Sequence, residues 1–239
     1  MLIIFDCDGV LVDSEQLAAK VFSDTLADYQ FCLSADECLS RFKGWTLEAC
    51  YQWLVPQFGG ALPDGFDEAI KANTREVFAR ELKAVNDVES VLQQLQKRNR
   101  SFCVASNGGL KKIDNSLSVC GLAQYFPVPV RFSAEQVSQG KPSPELFLKA
   151  AEAIGVPPRF CWVVEDSLAG CQAAKAAAMN LVFFNETAEP TPQAVVDLRP
   201  VKVVHSMLEL RSFFESKPAA FYTERQLEGE LINIDAQES

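Results

Sequence analysis

Two periods organise this chain. Short apolar runs that stop abruptly at polar residues read as buried strands: Leu2–Phe5, Phe102–Ala105, Trp162–Val164, Leu181–Phe184 and Val201–Val204. Between them, apolar residues recur at helical spacing. Val88, Val91, Leu92 and Leu95 follow Asp87 as a cap, and Pro144 opens a helix carrying Leu146, Phe147, Ala150 and Ile154 that Gly155 ends. The alanine-rich run from Ser167 to Ala178 predicts a third helix. Strands alternating with helices predict an α/β fold, a doubly wound parallel sheet with helices on both faces. Residues 14–83 break this rhythm with helical patterns alone: Gln16–Tyr29, a capping box at Ser34–Glu37, Thr46–Phe58 and Asp64–Leu82. They read as an inserted helical lid on a core formed by residues 1–13 and 84–220. Residues 221–239 read as an acidic tail.

In such a sheet, ligands bind beyond the carboxyl ends of the strands. The polar clusters of this sequence fall there. Asp6 and Asp8 follow the first apolar run, Ser106-Asn107-Gly108 the second, and Glu165-Asp166-Ser167 the third, while Lys141 lies in a Gly-Lys-Pro-Ser-Pro loop before a helix. Taken singly, each has a bland reading: a turn, a helix cap, a solvated lysine. Taken together, four clusters at strand ends or adjoining loops describe one site. Asp6 and Asp166 supply hard carboxylate oxygens suited to Mg²⁺, with the Asp8 backbone carbonyl as a further ligand. Acids this close repel one another unless a cation shares them. Ser106, with Asn107 and nearby backbone N–H groups, and Lys141 offer hydrogen bonds and a point charge to a phosphate group.

Charge sharpens the picture. Lys and Arg number 22 against 32 Asp and Glu, a formal charge of −10, which argues against nucleic acid or an anionic membrane as partner. An anionic substrate must then be met by individually placed cations. Eight cysteines without a Cys-x-x-Cys pair, and a single histidine, argue against structural zinc and for reduced, mostly buried thiols. Cys7, between the two aspartates, reads as a small core residue. No basic leader or long apolar segment is present, so a cytoplasmic protein is expected. A monomer is expected, with a dimer as the alternative.

The run Ile3-Ile-Phe-Asp-Cys-Asp-Gly-Val-Leu-Val-Asp-Ser-Glu15, with Ser106, Lys141 and Glu165-Asp166 in order behind it, resembles the four motifs of the haloacid dehalogenase-like (HAD) phosphohydrolases. The resemblance covers residues 1 to about 215. It implies a Rossmann-like core with a helical cap inserted after the first strand, where the helix-only segment lies. It further implies that Asp6 is the nucleophile and forms an aspartyl-phosphate, and that Asp8 gives a proton to the leaving alcohol and takes one from water. Asp6, Asp8 and Asp166 would hold Mg²⁺, and Glu165 would orient the ion's water without binding the ion. Lys141 and Ser106 would hold the charge on the transferring group. Dehalogenating relatives lack the second aspartate and the metal site, so Asp8 and Asp166 point to phosphate. The expected substrate is a small phosphorylated metabolite.

The lid sequence Arg41-Phe42-Lys43-Gly44-Trp45 joins two predicted helices and carries two cations beside a glycine. In relatives with this lid the corresponding loop selects the substrate. A basic loop suits a second anionic group, and Arg-Phe-Lys-Gly resembles a group of bacterial phosphatases acting on 6-phosphogluconate and similar small phosphates. Three alternatives compete. β-Phosphoglucomutase uses a lid histidine where this chain has Ala18, and His205 lies far along in the core. Phosphonoacetaldehyde hydrolysis needs a Schiff-base lysine, for which Lys43 is out of place. A silent binding protein would be signalled by loss of Asp6, Asp8 or Lys141, and all are present. Glu145 stands where many relatives have Asp, with little consequence expected.

Overall fold

The computed structural model describes residues 1–186 and 190–217; the expected tail, 221–239, lies outside the described residues. Six strands, β1 (Leu2–Phe5), β2 (Ser101–Ser106), β3 (Arg131–Ser133), β4 (Cys161–Glu165), β5 (Asn180–Phe184) and β6 (Lys202–Val204), form one all-parallel sheet in the order β3-β2-β1-β4-β5-β6. The α/β expectation holds. β1 pairs with β2 on one side and β4 on the other. The direction of winding therefore reverses between β1 and β4, which opens a crevice at their carboxyl ends.

β1 is apolar throughout because both of its faces are covered. Ile3 and Phe5 face one core, packed by α5 (Val88–Lys97), α6 (Leu110–Val119) and α10 (Met207–Glu215). Leu2 and Ile4 face the other, packed by α7 (Glu145–Ile154), α8 (Leu168–Ala176) and α9 (Gln193–Asp197). All four β1 side chains have no exposed surface, and burial of each is worth about 1.5–3 kcal/mol. This central strand is what fixes Asp6 at the sheet's rim.

Four helices lie between β1 and α5: α1 (Glu15–Asp28), α2 (Ala35–Phe42), α3 (Leu47–Leu54) and α4 (Phe66–Glu81). They enclose their own apolar cluster, including Phe22, Leu26, Leu54, Phe66 and Ile70. The Ser34–Glu37 capping box is formed, with Ser34 and Glu37 exchanging both bonds. The run expected to be helical from Thr46 to Phe58 gives α3 and then a 3-10 turn over Val55–Phe58, because Pro56 has no N–H to donate. Two stretches of chain tie these helices to the sheet. Val12 bridges Ala84, the Val85 N–H donates to the Leu11 carbonyl, and the Asp13 N–H donates to the Lys83 carbonyl. Asp87 precedes α5 in a left-handed conformation (φ +61) and its side chain makes no capping bond, contrary to the expectation from its position. β3 was not expected: its three residues, with one buried phenylalanine, carry no readable period.

Candidate functional site

Hydrogen bonding of the sheet continues one residue past β1, with the Asp6 N–H donating to the Val164 carbonyl at 3.0 Å. The chain then folds back on itself. Leu11 and Val12 donate to the Cys7 carbonyl, and Gly9 takes φ +75 to close the turn. A Cβ on Gly9 would run into the Asp166 carboxylate, so only glycine lets the β1 and β4 ends approach this closely. Cys7 points into the core as expected, and burial pushes its thiol well above the ordinary range.

Asp6 is 7% exposed. Lys141, from the loop before α7, donates to its Oδ1 and, at 2.6 Å, to Glu165 Oε1. Its ammonium lies 4.8 Å from the ring centroid of Phe147. Burial alone would lower the Lys141 pKa, but the carboxylates of Asp6 and Glu165 raise it above the ordinary value, so the ammonium is charged. Asp6 is pushed well above the usual carboxylate range by burial and by Glu165, Asp166 and Asp8, against the pull of Lys141.

Glu165 ends β4 with no exposed surface. Its Oε2 accepts from the backbone N–H groups of Asp166 and Ser167 and from the Ser167 hydroxyl, each at 2.9 Å. Ser167 then caps α8 by accepting from the Gly170 N–H at 3.1 Å. Both oxygens of Glu165 are thus committed to Lys141 and to the turn that aims Asp166.

Asp8 sits opposite. Its Oδ1 accepts from the Ser14 hydroxyl at 2.6 Å and from Lys112 Nζ at 2.7 Å, and its Oδ2 accepts from the Ser106 hydroxyl at 3.4 Å. Burial raises the carboxyl's pKa, yet the charge and hydrogen bond of Lys112, with the Ser14 bond, bring it below the ordinary value. Ser106 also accepts from the Gly108 N–H at 3.0 Å. Asn107 is spent on the protein: its Nδ2 donates to the carbonyls of Gly44 and Lys141, and its Oδ1 accepts from the Lys141 N–H at 2.8 Å. It joins three segments around the site and leaves no side-chain atom over.

The loop after α2 reaches this rim unevenly. Lys43 Nζ lies 2.7 Å from both Glu15 and Asp166. Gly44, at φ +78, passes so close to Ser167 that a Cβ would overlap its side chain. Arg41 does not join them. It belongs to α2, and its guanidinium stacks over Trp53, 4.4 Å from the ring centroid. Trp45 is 42% exposed and packs edge-on against Phe42. Asp166 is raised well above its usual range by burial and by Glu15 and Glu165, with Lys43 opposing. His205 is exposed, its Nδ1 at 2.9 Å from the Asn185 carbonyl. Glu145 does more than expected of it: its carboxylate accepts from the Ser138 and Gln139 N–H groups and steadies the Lys141 loop.

Sequence patterns passed over Ser14, Glu15 and Lys112. Ser14 and Glu15 close the first motif's run, where no role was assigned to them, and Lys112 lies on the first turn of the helix that begins just past Ser106-Asn107-Gly108. Proximity to those motifs was the available signal.

Among the described residues, Asp6, Glu165 and Asp166 offer carboxylate oxygens that all lie within 4.8 Å of one another. The hard oxygens of Asp6 and Asp166 in this group, in a cradle that a Cβ on Gly9 would fill, fit a divalent cation such as Mg²⁺. No described helix is long and apolar enough to cross a membrane.

Comparison with known proteins agrees with this geometry. The family model for haloacid dehalogenase-like hydrolases matches residues 3–184. 6-Phosphogluconate phosphatase of Escherichia coli K12 is 29% identical over 204 residues, covering 85% of this chain and 90% of that protein. A haloacid dehalogenase-like protein of unknown function from Agrobacterium tumefaciens superposes with a TM-score of 0.73 at 31% identity, covering 90% of this chain and 97% of that one. A HAD family hydrolase from Deinococcus radiodurans R1, solved with bound phosphate and sodium, gives a TM-score of 0.71 at 28% identity, covering 89% and 94% of the two chains. On the extent of these matches, the chain belongs to the haloacid dehalogenase-like hydrolase family.

Proposed function

We propose that this protein is a divalent-metal-dependent phosphatase that hydrolyses a small phosphomonoester, a sugar phosphate or phosphosugar acid such as 6-phosphogluconate. The observation that carries the reading is the convergence of two separately held carboxyls, Asp6 beside Lys141 and Asp8 beside Ser106, on the crevice where Asp6, Glu165 and Asp166 bring carboxylate oxygens within 4.8 Å of one another. An Asp6 oxygen attacks phosphorus, and the bond from phosphorus to the alcohol oxygen breaks. Entry of the anionic phosphate beside Asp8 opposes the pull of Lys112 and favours the protonated carboxyl, which gives that oxygen its proton. Water then attacks the aspartyl-phosphate, Asp8 takes its proton, and phosphate leaves Asp6. General acid–base help of this kind is worth about 10²- to 10⁴-fold in rate.

Lys141 holds Asp6 and places positive charge beside the transferring group, and the Ser106 hydroxyl lies within reach of its oxygens. Asp6, Asp166 and the Asp8 backbone carbonyl would hold Mg²⁺, which would offset the charge of the clustered acids and of the phosphoryl group. Glu165 orients Lys141 rather than the ion. The Escherichia coli relative supports a phosphosugar acid, and the Deinococcus radiodurans structure supports phosphate at such a site. Lys43, ion-paired to Glu15 and Asp166 in this structure, is the lid cation that would turn to a second anionic group of the substrate, with Gly44 and Trp45 shaping the loop. Arg41, turned onto Trp53, acts through that loop's shape. The chain's single histidine lies at the end of β6, so the lid has none to serve a mutase.

The test is phosphate release from 6-phosphogluconate, hexose 6-phosphates, glycerol phosphates, nucleotides and β-glucose 1-phosphate, with Mg²⁺ or EDTA. Metal-dependent release, ranked toward phosphosugar acids, is expected. Isomerisation of β-glucose 1-phosphate without release would overturn the reading.

A further inference from the structure

Asp8 is gripped asymmetrically. Its Oδ1 accepts two short bonds, from the Ser14 hydroxyl at 2.6 Å and from the Lys112 ammonium at 2.7 Å. Its Oδ2 has one contact, the Ser106 hydroxyl at 3.4 Å, which is longer than the ordinary O–H···O range. An oxygen that already accepts two donors can take a proton only by displacing one of them. The other oxygen can take it freely.

Lys112 is built into this arrangement and is not a wandering surface cation. It stands on the first turn of α6, whose backbone continues directly from Ser106-Asn107-Gly108. Its neighbour Lys111 is exposed, whereas Lys112 is about one-third exposed and turns toward the crevice. The ring of Phe78, near the end of α4, lies 5.6 Å from its ammonium. Lys112 thus sits between the catalytic rim and the helix that returns the chain from the lid, with its charge committed to a single carboxylate oxygen.

We propose that Lys112 is a positioning residue for Asp8: together with Ser14 it pins Oδ1 and leaves Oδ2, on the Ser106 side, as the atom that carries the transferred proton. This rests on the phosphatase reading above. In the first half-reaction the Oδ2–H bond breaks as the leaving oxygen, taking the electron pair of its bond to phosphorus, gains the proton. In the second, a proton of the attacking water passes to the same Oδ2. A carboxyl free to rotate would present the wrong oxygen, or neither, at the moment of transfer.

Substrates with different leaving groups separate this role from binding or folding. An alkyl phosphate needs the proton, whereas p-nitrophenyl phosphate expels a phenolate that leaves without one. kcat/KM covers the steps up to cleavage of that bond. For folded Lys112→Met, confirmed by circular dichroism, kcat/KM on glycerol 3-phosphate should fall by about 10²-fold while that on p-nitrophenyl phosphate falls less than about threefold. Lys112→Arg, which keeps the charge, should restore the ratio of the two to within about threefold of wild type. Lys112→Gln carries the same comparison if the Met variant does not fold. An equal loss on both substrates, or no loss on either, would overturn the positioning role while leaving the phosphatase intact. A wild-type protein without Asp6-dependent release from either substrate would overturn the underlying reading, and this inference with it.

Discussion

The rim of the sheet and the lid loop above it are held by different means. At the rim, Asp6, Lys141 and Glu165 are almost wholly buried, and each side chain is held by a backbone turn or an opposite charge. At the lid, Lys43, Gly44 and Trp45 meet the core through one ion-paired ammonium, one close glycine and one hydrogen bond from Asn107. The first arrangement suits a reaction that tolerates little misplacement. The second suits a contact that can part to admit substrate. On the proposed function, chemistry belongs to the firmly held rim and selection to the loop above it.

The largest effect should come from breaking the rim. Lys141→Ala would leave two buried carboxylates without their cation, at a cost of about 3–5 kcal/mol in stability. Denaturant unfolding should read that loss, alongside near-complete loss of turnover. A stability within about 1 kcal/mol of wild type would show that Lys141 is not the rim's electrostatic keystone.

Mg²⁺ should act in the opposite sense. Burial and mutual repulsion hold Asp6 and Asp166 well above the ordinary carboxylate range, so a cation between them relieves strain in the folded state. At a hundred times its Kd, the ion should add about 2.7 kcal/mol, seen as a rise in Tm that EDTA reverses and Asp166→Asn removes. Protons compete for the same oxygens. The rise should therefore be greatest above those raised values and shrink as pH falls through them. A Tm indifferent to Mg²⁺ would contradict the cation site.

The lid should respond more gently, and its two cations differently. Lys43→Ala should raise KM for a carboxylate-bearing phosphate about tenfold, the loss of one charged hydrogen bond, and lower stability by less than Lys141→Ala because its ammonium is partly exposed. Arg41→Ala removes an exposed stacking contact with Trp53 and should cost under about 1 kcal/mol of stability, with KM changed less than for Lys43. Equal effects on KM would erase the distinction between them.

The same contrast explains what could be read from sequence. β1, β2, β4 and β5 were legible because strands buried on both faces write unbroken apolar runs. β6 was read from Val201–Val204, whereas β3, also three residues at an edge, was not, because Arg131-Phe132-Ser133 has one apolar side chain against the three valines of that run. The acids at the strand ends and Lys141 were legible because the sheet's topology brings its carboxyl ends together whatever the side chains do. Lys112 was not, because a lysine on a helix's first turn looks the same in sequence whether it faces water or Asp8. Nor could sequence separate Arg41 from Lys43. Two positions apart, one ends within a helix and the other lies just beyond it, so they point in different directions. Asp87 shows the converse: a residue of the right type before a helix, in a backbone conformation that gives it no capping bond.

The most direct test of the account is to quench the protein with acid during turnover of its best small phosphate and examine the peptide containing Asp6 by mass spectrometry. The account predicts a phosphoryl group on Asp6, absent in Asp6→Asn, which should fold normally and release no phosphate. Turnover that persists in Asp6→Asn, or a phosphoryl group found on another residue, would contradict it.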